Sequence, residues 1–174
     1  MNSCDWIVCE RTSRWAAALR VALAREDCGA TSSIYEVRTW KELASRLETQ
    51  PNGVAIAEVQ RDQLGSALVW LATARRRFPR ARFTAALDIS STDTEGHASS
   101  FRRDEQAEVV DALFEAGVAA VADSPRRLQA ILVLGRRHAA LCAAQSQPSP
   151  RDNLSVVNAA WASLPWQDRS SAVG

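Results

Sequence analysis

A doubly wound α/β fold is the architecture this sequence predicts: a five-stranded parallel sheet in the order 2-1-3-4-5, helices on both faces, and a flexible C-terminal tail. Three observations predict it. Short apolar runs rich in β-branched residues alternate with longer stretches whose apolar residues recur every three or four positions. The run 53–59, GVAIAEV, is apolar at nearly every position and reads as a strand buried on both faces. Finally, 174 residues at 47% hydrophobic content suffice for one substantial core and do not require two.

The first strand is expected over Trp6–Cys9, and Thr12 or Ser13 then caps a helix to about Arg25, with Trp15, Leu19, Ala22 and Leu23 on one face. A second strand, Ser33–Val37, leads to a helix over Thr39–Glu48, in which Trp40, Leu43 and Leu47 repeat that spacing; Pro51-Asn52-Gly53 ends it. The third strand is Val54–Val59. The helix after it, Ser66–Phe78, closes on Arg75, Arg76 and Arg77, cations that suit the negative end of a helix dipole. Arg82–Leu87 supplies the fourth strand and Glu105–Ala116 the fourth helix, with Val109, Val110, Leu113 and Phe114 apolar and Gly117 as its stop. Val118–Ala122 is the fifth strand, and Pro125 opens a last helix reaching about Ala144 through Leu128, Ile131, Leu132, Leu134 and Leu141. Right-handed crossovers then align the C-terminal strand ends along one edge, the flavodoxin-like arrangement in which ligand chemistry gathers.

Composition narrows function by exclusion. Twenty-one basic against 20 acidic side chains leave a net charge of +1, which offers no global attraction for nucleic acid or anionic lipid. No uninterrupted apolar run is long enough to span a membrane and the N-terminus lacks a secretory pattern, so a cytoplasmic location is expected. Cys4, Cys9, Cys28 and Cys142 are scattered, and His97 and His138 are the only histidines, a distribution unsuited to zinc. The arginines 75, 76, 77, 80 and 82 form the densest basic cluster, without interleaved aromatic residues, and read as a solvated face.

In element order and spacing, residues 5–144 resemble response-regulator receiver domains. The resemblance implies a pocket in which paired acids after the first strand hold a divalent metal and an Asp ending the third strand accepts a phosphoryl group. A hydroxyl would end the fourth strand and a Lys-Pro follow the fifth. At the matching places this chain has Cys9 and Glu10, Glu58, Leu87 followed by Asp88, and Ser124 with Pro125. Cys9 replaces an oxygen donor by sulfur, which magnesium disfavours. Glu58 is one methylene longer than Asp and displaces its oxygens from in-line attack. Leu87 brings no hydroxyl, Thr84 lies too early and Ser90 too late, and Ser124 removes the phosphate-stabilising cation. Cys9 reads as a small apolar residue at a strand end; a reactive thiol would need a neighbouring cation, for which Arg11 is the candidate. A degenerate receiver pocket without metal or cofactor is therefore expected.

Two segments depart from a minimal receiver. The connection 88–104, DISSTDTEGHASSFRRD, is long and polar and reads as a mobile insertion. After a Pro-containing linker, residues 145–174 carry a short apolar motif with Trp161, Leu164 and Trp166 as large anchors, expected to bind a protein partner or dock on the domain. The reading is a phosphorylation-independent signalling module, not an enzyme, that works through protein contacts; a homodimer is compatible with it. The alternative is a small nucleotide-binding or enzymatic domain using the same sheet edge. Against that stand the missing GxGxxG and GxxxxGK[ST] patterns and the absence of a Ser, His, Asp set.

Overall fold

The computed structural model describes residues 4–25, 32–87, 101–102 and 104–146. Strands β1 (Asp5–Cys9), β2 (Ser33–Val37), β3 (Val54–Val59), β4 (Arg82–Leu87) and β5 (Ala120–Ala122) alternate with helices α1 (Arg14–Arg25), α2 (Trp40–Thr49), α3 (Leu64–Arg77), α4 (Gln106–Glu115) and α5 (Gln129–Ser146). All strand pairs are parallel and the order is β2-β1-β3-β4-β5, as the sequence predicts. Within the chain, residues 1–141 form one unit and 142–174 a second, of which only the end of α5 is described.

Successive side chains of a strand point to opposite faces, so each apolar run feeds two cores. Ile7, Cys9, Ala55, Phe83 and Leu87 pack beneath α2, α3 and α4 with Leu43, Leu47, Leu71, Val109 and Leu113. Trp6, Val8, Val54, Ile56 and Ala86 pack beneath α1 and α5 with Trp15, Leu19, Leu128, Ile131 and Leu132. Every residue of β3 is buried, which accounts for an apolar run broken only by Glu58. The α5 face approaches the sheet so closely that a Cβ at Gly135 would overlap the Trp6 ring. One turn further, His138 Nε2 donates to the carbonyl of Asn52, 2.9 Å, tying α5 to the start of β3.

Several boundaries differ from expectation for identifiable reasons. The fifth strand is shorter because Val118 closes the preceding helix: its N–H donates to Leu113 O, and that of Gly117, at φ 97°, to Phe114 O. The last helix begins at Gln129, four residues after Pro125, because residues 124–127 form a turn in which Ser124 Oγ accepts from Arg126 N–H and Ser124 O from Arg127 N–H. At the third helix, a 3₁₀ turn at Arg61–Gln63 leads in two residues early. Phe114 and Leu141, counted among the apolar residues of their helices, are 47% and 56% exposed. Residues 88–100 and 103 of the long connection, and with them its expected mobility, lie outside the described residues; Phe101 is 1% exposed within the α2–α4 core.

Candidate functional site

The C-terminal ends of β1 and β3 bring Cys9, Glu10 and Glu58 together with the loop entering α1. Glu10 is 2% exposed, and its carboxylate is committed to backbone. Oε2 accepts from Trp15 N–H at 2.7 Å and Oε1 from Ala16 N–H at 2.8 Å. These are the second and third residues of α1, whose donors have no partner inside the helix, and the negative charge also complements the helix dipole. Capping by Thr12 or Ser13, as the sequence suggests, is therefore not what the fold uses. Ser13 closes the first helical bond through its carbonyl but sits at φ 57°, and its hydroxyl turns away to donate to Glu36 at 2.7 Å.

Glu58, 9% exposed, ends β3 on the same pocket. Oε2 accepts from the backbone N–H of Arg11, 3.0 Å, and Oε1 lies 3.9 Å from the Arg14 guanidinium. Both acids therefore serve the β1–α1 connection. Among the described residues, no group of three or more His, Cys, Asp and Glu is arranged to hold a metal. Cys9 is 7% exposed, and its thiol is pushed up to about 12 by burial, with Glu42, Glu58 and Glu10 adding to the shift. The cation that opposes the shift is Arg38, not Arg11, and it is outweighed. Cys9 is a protonated, packed thiol at neutral pH.

Leu87 is fully buried at the end of β4, paired in register with Val59 next to Glu58. The Thr84 hydroxyl is buried three residues earlier and donates to Ala55 O at 2.9 Å, so it serves the sheet. Ser124 and Pro125 occupy the turn after β5, where Asp123 pairs with Arg127 at 3.3 Å and accepts from Gln106 Nε2 at 3.4 Å. Trp161, Leu164 and Trp166 lie outside the described residues.

Sequence reasoning missed the residue that organises one wall of the pocket. Arg38, just after β2, donates through Nη1 to the Glu10 carbonyl at 2.9 Å and through Nη2 to Ser13 Oγ at 2.6 Å. Glu36, held below the usual carboxylate range by its hydrogen bond from Ser13 and then by Arg20, completes the clamp. The signal was available in the strand order: β2 neighbours β1, so a cation at the β2 exit reaches the β1 exit. Arg38, Trp40, Gln60 and Gln63 join Cys9, Glu10, Arg11 and Glu58 around a cleft of about 230 Å³. Opposite charges balance within it, and each carboxylate already has backbone or guanidinium partners.

No protein-family model and no curated protein matches the chain. Solved structures do. A response regulator from Thermotoga maritima superposes with a TM-score of 0.57 at 13% identity, covering 79% of this chain and 98% of that one. A CheY-like protein (tadZ) from Pseudomonas aeruginosa gives 0.55 at 15% identity, covering 78% and 98%. A provisionally named pilus assembly protein (cpaE) from Burkholderia thailandensis gives 0.51 at 12%, covering 79% and 99%. The chain thus has the fold of response-regulator receiver domains.

Proposed function

We propose that this chain is a receiver-type module that signals through protein contacts without accepting a phosphoryl group. The observation that carries the reading is the Glu10 carboxylate, both oxygens of which are bonded to the N-terminal N–H groups of α1. A metal drawing on Glu10 would have to compete with the cap that starts the helix. Glu58 is held by Arg11 N–H beside Arg14, and Ser124 offers no cation for a phosphoryl oxygen. Function then moves to surfaces, which include the tail with Trp161, Leu164 and Trp166 as interface anchors. The pilus-assembly name among the similar folds makes assembly machinery the first partners to try.

The test is incubation of the full chain with acetyl phosphate and magnesium, read by intact mass, alongside thermal-shift titrations with magnesium and with nucleotides. Unchanged mass and unchanged melting temperature are expected. A phosphoryl adduct at Glu58, or a saturable nucleotide shift, overturns the reading in favour of the receiver reaction or the nucleotide-binding alternative, because a ligand that binds only the folded state must raise its stability.

A further inference from the structure

At the opposite pole, where the strands begin, the chain gathers arginines. Arg75, Arg76 and Arg77 end α3, and Arg80 and Arg82 follow into β4, all of them exposed. Arg77 pairs with Glu48; among the described residues the other four have no ion-pair partner. The helix dipole is the simplest account of such cations, and both α3 and α4 end here. Two helix C-termini supply about half a negative charge each, about one in total against the guanidiniums of Arg75, Arg76, Arg80 and Arg82. A positive surplus remains.

Two of these cations, Arg75 and Arg82, line a depression of about 460 Å³ together with Pro79, Phe114, Val118 and Ala119. Gly117 sets Arg75 in place. It lies in the turn after α4 at φ 97°, and the room left by its missing side chain is taken by the Arg75 stem, with Nη1 3.0 Å and Nε 3.2 Å from where a Cβ would stand. Phe114, 47% exposed, supplies an aromatic wall. Guanidinium forks beside an apolar surface recognise a carboxylate next to an apolar group.

We propose that this depression binds an acidic segment of a partner protein, with carboxylates taken by Arg75 and Arg82 and one apolar or aromatic side chain seated against Phe114, Pro79 and Val118. Carboxylates match the planar guanidinium fork bidentately. Nucleic acid would instead call for a longer cationic track with several stacking platforms, whereas one exposed ring stands here. With a net charge of only +1 the field is local, so binding is salt-sensitive. The inference gives the protein-contact reading a partner class and rests on it, but its test uses no phosphoryl donor. Phosphorylation of Glu58 with retained peptide binding would sink the earlier reading alone.

The experiment is fluorescence anisotropy on the full chain with three labelled probes: a peptide of glutamates around a central phenylalanine, the same peptide with glutamines, and a single-stranded oligonucleotide. The glutamate peptide is expected to bind, and Arg75→Glu with Arg82→Glu to weaken it by about tenfold or more. Phe114→Ser should weaken it several-fold. These side chains are exposed, so melting temperatures should stay near that of the parent. No binding of the glutamate peptide, equal binding of the glutamine peptide, preference for the oligonucleotide, or indifference to the substitutions would each overturn the proposal. So would self-association of the parent chain that Arg75→Glu with Arg82→Glu abolishes, because a second copy would then be the occupant.

Discussion

The carboxylate of Glu10 holds the backbone N–H of Ala16 at 2.8 Å while its other oxygen takes that of Trp15 at 2.7 Å, so an acid at the end of β1 is the N-terminal cap of α1. The residue is nearly inaccessible to solvent, so removing it leaves two buried donors without partners. Glu10→Ala should cost about 2 kcal/mol of stability. Glu10→Gln keeps one acceptor oxygen and should cost less. Urea denaturation of the variants checks the order, and equal losses for Ala and Gln would contradict the capping role.

Gly135 and Trp6 set the spacing between α5 and the sheet. Because a Cβ at Gly135 falls inside the indole ring, Gly135→Ala must push the helix outward or force the ring from its rotamer, at a cost of about 1–3 kcal/mol. On an exposed helix the same change would stabilise by up to about 1 kcal/mol, so the sign of the effect is diagnostic. In a Trp6→Phe background the penalty should shrink, since the smaller ring leaves room for the methyl. A double-mutant cycle measured by thermal unfolding reads this coupling.

Much of the fold was legible because both periodicities are strong. Trp15 and Leu19 recur on one face of α1, Leu43 and Leu47 on one face of α2, and Pro51-Asn52-Gly53 marks the turn into β3. The differences arise where a residue's partner is set by the geometry of the fold and not by its own periodicity. Val118 reads as strand, yet its N–H completes the end of α4. Phe101 is a single aromatic residue in a polar run, too little for a pattern, yet it is buried in the core. At the site, Glu10 matches a metal-ligand position by resemblance, and in the fold both its oxygens accept from the first turn of α1, which follows Ser13 at φ 57°. Arg38 was overlooked because its partners Glu10 and Ser13 are more than twenty residues away.

Cys9 should behave as an inert thiol. Its ionisation is raised from 9.0 to about 12, chiefly by burial and then by the neighbouring glutamates. A thiol whose folded value is raised stabilises the fold fully below its unfolded value and loses that contribution as pH rises toward the folded one, so the effect is confined to strongly alkaline solution. At neutral pH, iodoacetamide followed by peptide mass mapping should leave Cys9 unmodified in the native chain and modify it in urea. Rapid native labelling would show that the cleft opens to solvent.

His138 makes the fold sensitive to mild acid. Burial lowers its ionisation below the ordinary value, opposed by the hydrogen bond to the Asn52 carbonyl and assisted by the positive charge of Arg82. A histidine lowered in the folded state is held neutral there and charges more readily once unfolded. Its contribution is therefore complete above the unfolded value, about 6.5, and falls away as pH drops toward the lower folded value. Melting temperature should decline between about pH 7.5 and about pH 5 more steeply in the parent than in His138→Gln, which cannot titrate. The substitution itself should destabilise at pH 7.5, because a buried ring is replaced beside Asn52. Parallel pH profiles for the two proteins would show that the acid sensitivity arises elsewhere.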